Sequence, residues 1–330
     1  MQKDSYKTKA IVEAGLICSL IVALMMMTIY IPLFSIVGVF ILPIPITVLY
    51  IRHNIKITTT AVLVSAIFIA ILYNPISAIT VSIMMGSTGI ALGYCIINKK
   101  SVWQTIVILS IVSIISTVID MSIYVTLINK GGLMAYINQQ VQITRDSMNS
   151  VTEIYRGMGV PETQLQQFNA SINIFTPEFV MQLIPPALLF MGFASAYINY
   201  SFTRGVLRRL GYEIEPIGLF SNLYINNRIG TLVLVFVIVG MLLDRNNILY
   251  GKYFAASAQI VLQLILLIDG IALAAYYLKN KLKLNKLIMF LLIFFTVTSA
   301  TLSLSYILAG LLDMIFDFRK LDPFRRKKAQ

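Results

Sequence analysis

Residues 129–177 read NKGGLMAYINQQVQITRDSMNSVTEIYRGMGVPETQLQQFNASINIFTP, the only long polar run in a chain that is 58% hydrophobic. The run carries three cations (Lys130, Arg145, Arg156) and three acids (Asp146, Glu153, Glu162). Its apolar residues recur at Ile137, Val141, Thr144, Met148, Val151, Tyr155 and Met158, spaced four and three in turn. That is one face of a helix, with Thr144 the only weak step. Gly157-Met-Gly159-Val-Pro161 breaks it, because glycine tolerates a left-handed C-cap and proline suits a new first turn. A second face follows at Leu165, Phe168, Ile172 and Phe175. The stretch predicts a helical hairpin outside the membrane, joining two membrane blocks. It is either a solvated connector packed on itself or a lid over something that opens on its side.

In both directions from this run the chain is apolar enough for a bilayer. Only 12% of its residues are charged, which excludes an ordinary soluble domain. The predicted fold class is all-α, a polytopic integral membrane protein. A span needs roughly 20 apolar residues. The apolar blocks are 10–31, 33–51 (with Pro43 and Pro45 in its middle), 57–73, 76–97, 102–128, 179–200 (with Pro185-Pro186), 229–243, 254–278 and 287–316.

The net charge of +12 does not point to nucleic acid, because the cations sit in short clusters between apolar runs, where membrane orientation explains them. With the N-terminus in the cytoplasm, Lys3, Lys7, Lys9, Arg52, Lys56, Lys99, Lys100, Arg204, Arg208, Arg209, Arg228, Lys279, Lys281, Lys283 and Lys286 fall inside. Only Lys130, Arg145, Arg156, Arg245 and Lys252 fall outside. This bias predicts a multi-pass cell-membrane protein with an extracytoplasmic 129–177 hairpin. The basic tail that begins at Arg319 belongs inside as well, and nine spans would leave it outside. A break in the polar middle of the last block, between residues 296 and 305, resolves the conflict. Its 30 residues would otherwise run about 45 Å as a straight helix, against a hydrocarbon core of about 30 Å. By this reading, 1–200 is a membrane core carrying the hairpin and 201–228 a basic cytoplasmic loop. Residues 229–316 are three to four further membrane helices, and 317–330 a basic cytoplasmic tail.

The sequence contains no H-E-x-x-H, C-x-x-C or G-x-x-x-x-G-K-[ST] motif, so nucleotide hydrolysis of the P-loop kind is excluded. No cofactor, metal or enzymatic activity is expected. Cys18 and Cys95 lie in apolar runs and read as small buried hydrophobes. His53, beside Arg52, reads as a solvated surface residue. Ionisable groups inside spans are costly and face a cavity or a partner. Asp269 and Glu13 read as structural, Asp269 held by hydroxyls of neighbouring helices and Glu13 reaching towards Lys9. Asp120, in the outer half of its span, is the first candidate for a ligand-facing group. Tyr124, one turn further out, supplies a ring and a hydroxyl. Gln182 and Asn74 lie at compatible depths. Ala10 and Ala14, with Gly15 and Ser19 on an adjacent stripe, form small-residue surfaces for helix docking, either internal or against another membrane subunit. Gly86, Gly89 and Gly93 line the fourth span.

The Ala10-x-x-x-Ala14 opening, the early proline-containing segment Leu42-Pro-Ile-Pro-Ile46 and the glycine-rich fourth span resemble the S components of energy-coupling-factor vitamin transporters. The whole chain is similar to the YybS-like family of predicted bacterial membrane proteins. That likeness rests on the hairpin, on Arg208-Arg-Leu-Gly211 with Glu215-Pro216, and on the tail Leu311-Leu-Asp-Met-Ile-Phe-Asp-Phe-Arg-Lys320. The resemblance implies an S-component-like six-helix core with extra C-terminal helices, and it implies no activity. Three functions fit. The chain binds or transports a small extracytoplasmic molecule, energised by a partner ATPase module or an ion gradient. Alternatively it is a scaffold or assembly protein. In the third reading it is a secondary transporter whose Asp120 and Asp269 carry protons or cations. A polar cavity favours the first, a core sealed by apolar side chains the second, and two carboxylates in one water-accessible path the third.

Overall fold

A computed structural model of the chain describes residues 2–127, 131–248 and 250–321. Asn129, Lys130 and the tail residues 322–330 lie outside the described residues, as do the side chains of 2–10, Ala10 among them. Every regular element among the described residues is helical.

The helices follow the apolar blocks. Seven are long and apolar enough to cross a membrane. These are α1 (Gln2–Tyr30), α4 (Ile55–Leu72), the pair α5 (Pro75–Val81) and α6 (Ser87–Ile97) joined through the π-turn Ser82–Gly86, α7 (Val102–Leu127), α10 (Pro177–Arg209), α11 (Asn227–Arg245) and α12 (Gly251–Asn280). The second block is divided at Leu42 into α2 (Pro32–Ile41) and α3 (Pro43–Arg52). Proline lacks an N–H and fits a first turn better than a helix interior, so Pro43 starts a helix rather than continuing one. The last block is broken as its polar middle suggested. Here α13 (Lys286–Val297) and α14 (Ala300–Phe316) meet at a bend of 107°. The Thr296 hydroxyl bonds the Leu292 carbonyl at 2.7 Å and meets the Tyr306 hydroxyl at 2.7 Å across the break. Ser and Thr loosen a helix by offering its backbone such alternatives.

Packing divides the chain into two compact units: residues 1–140 with 187–217, and residues 141–186 with 218–330. The division expected from the basic loop 201–228 follows charge and membrane side, whereas packing follows a different partition that cuts α8 (Gly132–Gly157) and α10.

In the first unit, α1 packs on α2, α3 and α4, α3 on α6, and α6 on α7. Leu42, Ile46 and Ile69 form one buried cluster with Ile21 and Met25. Leu92, Ile106 and Leu109 form another with Ala196 and Tyr200. At the α3–α6 contact the buried Thr47 hydroxyl donates to the Gly89 carbonyl at 3.0 Å. A Cβ on Gly89 would lie 2.8 Å from the Pro43 carbonyl oxygen. Cys18 and Cys95 are both buried and free. Two expectations are corrected here. His53 is not solvated: its side chain is 4% exposed and its Nε2 lies 2.9 Å from Glu13 Oε2. Glu13 also pairs with Arg52, so α1 is fastened to the end of α3 where the sequence suggested only a local contact with Lys9.

In the second unit the C-terminal part of α8 folds against α9 (Glu162–Ile174), with Gly159 in the left-handed conformation between them (φ 80°). Thr152 donates to Asn169 Oδ1 at 3.3 Å, Tyr155 meets Phe168 edge to face, and Arg145 Nε donates to the Phe175 carbonyl at 3.1 Å. The buried stripe differs from the predicted one towards its end. Val141 and Thr152 are buried, while Met158 is 73% exposed. The predicted stripe repeats every 3.5 residues and a straight helix every 3.6, so it drifts about 20° per heptad off the contact line. Met148 remains on that line and is half-buried. Met148→Asp is expected to raise protease cleavage within 141–175, whereas Met158→Asp leaves the cleavage rate as it is.

Elsewhere in this unit α12 packs on α11 and α14, and α13 on α12 and α14. At the α12–α14 crossing, Gly270 and Gly310 bring the two backbones into contact. A Cβ on either would overlap a carbonyl oxygen of the opposing helix, that of Tyr306 or of Leu266.

Candidate functional site

The first unit contains a cavity of about 300 Å³ between α2, the π-turn, α6, α7 and α10. Val39, Phe40, Met84, Met85, Leu188 and Met191 give it an apolar lining. Thr88, Ser113, Ser116, Thr117, Ser195 and Asn199 add polar groups. Met84 and Met85 come from the π-turn Ser82–Gly86. Such a turn accommodates one extra residue, and π-turns are frequent at functional sites. Most lining hydroxyls are engaged locally: Thr88 with the Met84 carbonyl at 2.7 Å, Thr117 with the Ser113 carbonyl at 2.8 Å, and Ser116 with Ser87 at 2.9 Å.

Asn199 differs. It is 3% exposed, and its amide nitrogen donates to the Ser195 carbonyl at 3.0 Å and to the Ser195 hydroxyl at 3.2 Å. The carbonyl must be met by an N–H, which fixes which end of the amide faces Ser195. Its Oδ1 is buried with no hydrogen-bond partner among the described residues. A buried acceptor left so costs about 1–3 kcal/mol. A small, largely apolar molecule carrying one well-placed donor complements this lining.

The residues selected from the sequence do not gather here, and none of Asp120, Tyr124, Gln182 or Asn74 lines the cavity. Asp120 stands three and four residues beyond Thr117 and Ser116, one turn along α7. It is half-buried and has no hydrogen bond or ion pair among the described residues. Tyr124 packs edge to face on Tyr136, centroids 5.3 Å apart. Asn74 is the N-cap of α5, accepting from the Ser77 N–H at 2.7 Å, which accounts for it structurally. Gln182 belongs to the other unit, where its backbone carbonyl accepts from the Ser257 hydroxyl at 2.9 Å. Ala14 packs beside Cys18, Leu49 and Ala61, and among the described residues of α1 the small ones left exposed are Gly15, Ser19 and Ala23. Asp120→Asn has no partner to lose, so it is expected to leave thermal stability unchanged.

The second unit holds a buried ionic cluster. Asp317 ends α14 in the left-handed conformation (φ 50°), which Asp tolerates better than most residues. The reversal returns Arg319 to α14. Arg319 Nε donates to Asp313 at 2.8 Å and Nη2 to Asp269 at 2.6 Å. Nη1 donates to the Leu223 carbonyl at 2.7 Å. Both carboxylates are fully buried and Arg319 is 3% exposed. Asp269 is structural, as expected, but an arginine holds it rather than hydroxyls. Arg319 itself is a buried tie, not part of a solvated basic tail.

The family profile of a predicted membrane protein, DUF2232, matches residues 19–314. The chain belongs to the DUF2232 family of predicted membrane proteins. It is 24% identical over 278 residues to the uncharacterized protein YybS of Bacillus subtilis (strain 168), covering 83% of this chain and 86% of that one. No solved structure matches. The family match takes in every residue lining the cavity as well as Asp269 and Asp313, while Arg319 lies just past its end. Asn199 was visible in the sequence as an amide inside a span. Its significance depends on the hole beside it, which only helix packing creates.

Proposed function

We propose that this membrane protein binds a small molecule in the cavity of its first unit. The observation that carries the reading is Asn199 Oδ1, a buried acceptor with no partner among the described residues, on a side chain that lines this mostly apolar cavity. The ligand is compact, chiefly apolar and bears an N–H or O–H donor. A six-helix, S-component-like core taking its ligand from the extracytoplasmic side fits this, with the 129–177 hairpin outside and the N-terminus in the cytoplasm. Energy for movement comes from a partner ATPase module or another membrane subunit, or from an ion gradient, because the chain has no nucleotide motif. The role is binding or transport rather than catalysis.

The polar groups set into this lining speak for this reading over a scaffold with a sealed apolar core. The secondary-transporter reading loses support because Asp269 is committed to Arg319 with no exposed surface. The decisive experiment is native mass spectrometry of protein extracted gently from membranes. A co-purified small molecule is expected with the wild type and should be lost in Asn199→Leu, with the protein still folded. Absence of any such molecule from the wild type, or its retention by Asn199→Leu, removes the proposal. Asp120→Asn adds a second arm: weaker binding or uptake at unchanged stability places Asp120 on the ligand's route, and unchanged uptake takes it off.

A further inference from the structure

A second cavity, of about 710 Å³, lies in the first unit where α6 passes to α7 and where α10 ends. Four cations line it together: Lys99, Lys100, Arg204 and Arg208. Two acids, Glu213 and Glu215, line it as well. The formal balance is four positive charges less two negative, +2. Among the described residues none of the four cations takes part in an ion pair.

The walls are built in advance. Gly211 turns the chain back after α10 in the left-handed conformation (φ 88°), and the Tyr212 N–H bonds the Leu207 carbonyl at 3.0 Å. The returning segment is then pinned to α10 twice. The Tyr200 hydroxyl donates to the Glu215 carbonyl at 2.8 Å, and Arg204 Nε donates to the Ile214 carbonyl at 3.2 Å. Arg204 spends only Nε on this bond, so its two terminal nitrogens remain for something else. Cations that merely orient a membrane protein have no need to share one concave site with fixed walls.

We propose that this cavity binds a phosphate-bearing anion. Guanidinium forks and ammonium groups together match phosphate oxygens. A phosphate monoester of about −1.5 to −2 at neutral pH offsets the local excess, and the single negative charge of a lipid phosphodiester offsets part of it. The volume suits more than a bare phosphate, so the group belongs either to a soluble phosphorylated molecule or to an anionic lipid headgroup. The cavity is separate from the one holding Asn199 and does not depend on the reading given to that one.

The test uses the full chain in phosphatidylcholine nanodiscs. One arm measures thermal protection by inorganic phosphate and pyrophosphate against chloride at equal ionic strength. The other measures retention of phosphatidylglycerol by native mass spectrometry. Lys100→Gln/Arg208→Gln changes two exposed side chains and leaves the pinning bonds intact. It is expected to weaken phosphate or phosphatidylglycerol binding by about tenfold or more. The control Arg245→Gln/Lys252→Gln, of equal charge change at two exposed side chains outside the cavity, is expected to have no effect. Protection by pyrophosphate identifies a soluble ligand, and selective phosphatidylglycerol retention a lipid. Absence of both, or binding unchanged in Lys100→Gln/Arg208→Gln, overturns the proposal.

Discussion

Arg319→Gln is expected to destabilise the second unit by about 3–5 kcal/mol, the range found when one partner of a buried ion pair is removed. The effect should appear as a large drop in the thermal midpoint of the detergent-solubilised protein, or as loss of folded protein on extraction. The guanidinium is the only cation within bonding distance of the two buried carboxylates among the described residues. Removing it leaves Asp269 and Asp313 facing each other with no water to solvate them. It also leaves the Leu223 carbonyl without its donor. Arg319→Lys keeps the charge but not the fork that reaches Asp313, Asp269 and Leu223 together, so an intermediate loss is expected. Asp313→Asn should cost much less than Arg319→Gln, because it leaves one carboxylate opposite one guanidinium. Equal losses for Asp313→Asn and Arg319→Gln would show that packing, not charge balance, sets the cost. A wild-type midpoint for Arg319→Gln would show that the cluster is not a structural tie.

The second large effect is expected at the crossing of α12 and α14. In an isolated helix Gly310→Ala would gain about 1 kcal/mol of propensity. Here the added methyl overlaps the Leu266 carbonyl oxygen and comes within 2.8 Å of the Gly270 amide nitrogen. Both obstacles are backbone, so no side chain can turn aside. Overpacking of this kind costs typically 1–3 kcal/mol and more when helices must separate, so the clash outweighs the propensity gain. Gly310→Leu should be worse and disrupt the second unit. Gly270→Ala should match Gly310→Ala, and the double variant should cost less than the sum, since one separation of the helices relieves both contacts. Additive losses in thermal unfolding would mean that the two glycines act independently. A gain in stability for either alanine would mean that the helices do not approach so closely.

These two contacts mark where sequence reading stops. Helix positions were legible because hydrophobic length and turn chemistry are local: each predicted apolar block is helical, Gly159 takes the left-handed turn, and the last block breaks at its hydroxyl-rich middle. The glycines at 86, 89 and 93 were recognisable as packing residues because a missing side chain advertises close approach. Gly270 and Gly310 carried the same signal, but forty residues separate them in the chain and nothing local pairs them.

Arg319 shows the limit most clearly. In the sequence it is one of a run of tail cations, and such cations are normally solvated. Its burial follows from a left-handed Asp317 that reverses the chain and from Asp269, fifty residues earlier. His53 and Glu13 repeat the lesson across forty residues. Asp120 was chosen because it is charged at membrane depth, a property of its own residue type and position. The cavity beside it is a property of four helical segments packed around a π-turn, and its open acceptor belongs to an uncharged amide that hydropathy hardly registers. Composition and periodicity therefore settle that this is an all-helical membrane protein and where its helices run. Which polar groups are tied to one another and which are left without a partner among the described residues is decided by tertiary packing, because satisfying a buried polar group depends on neighbours that the chain supplies from far away.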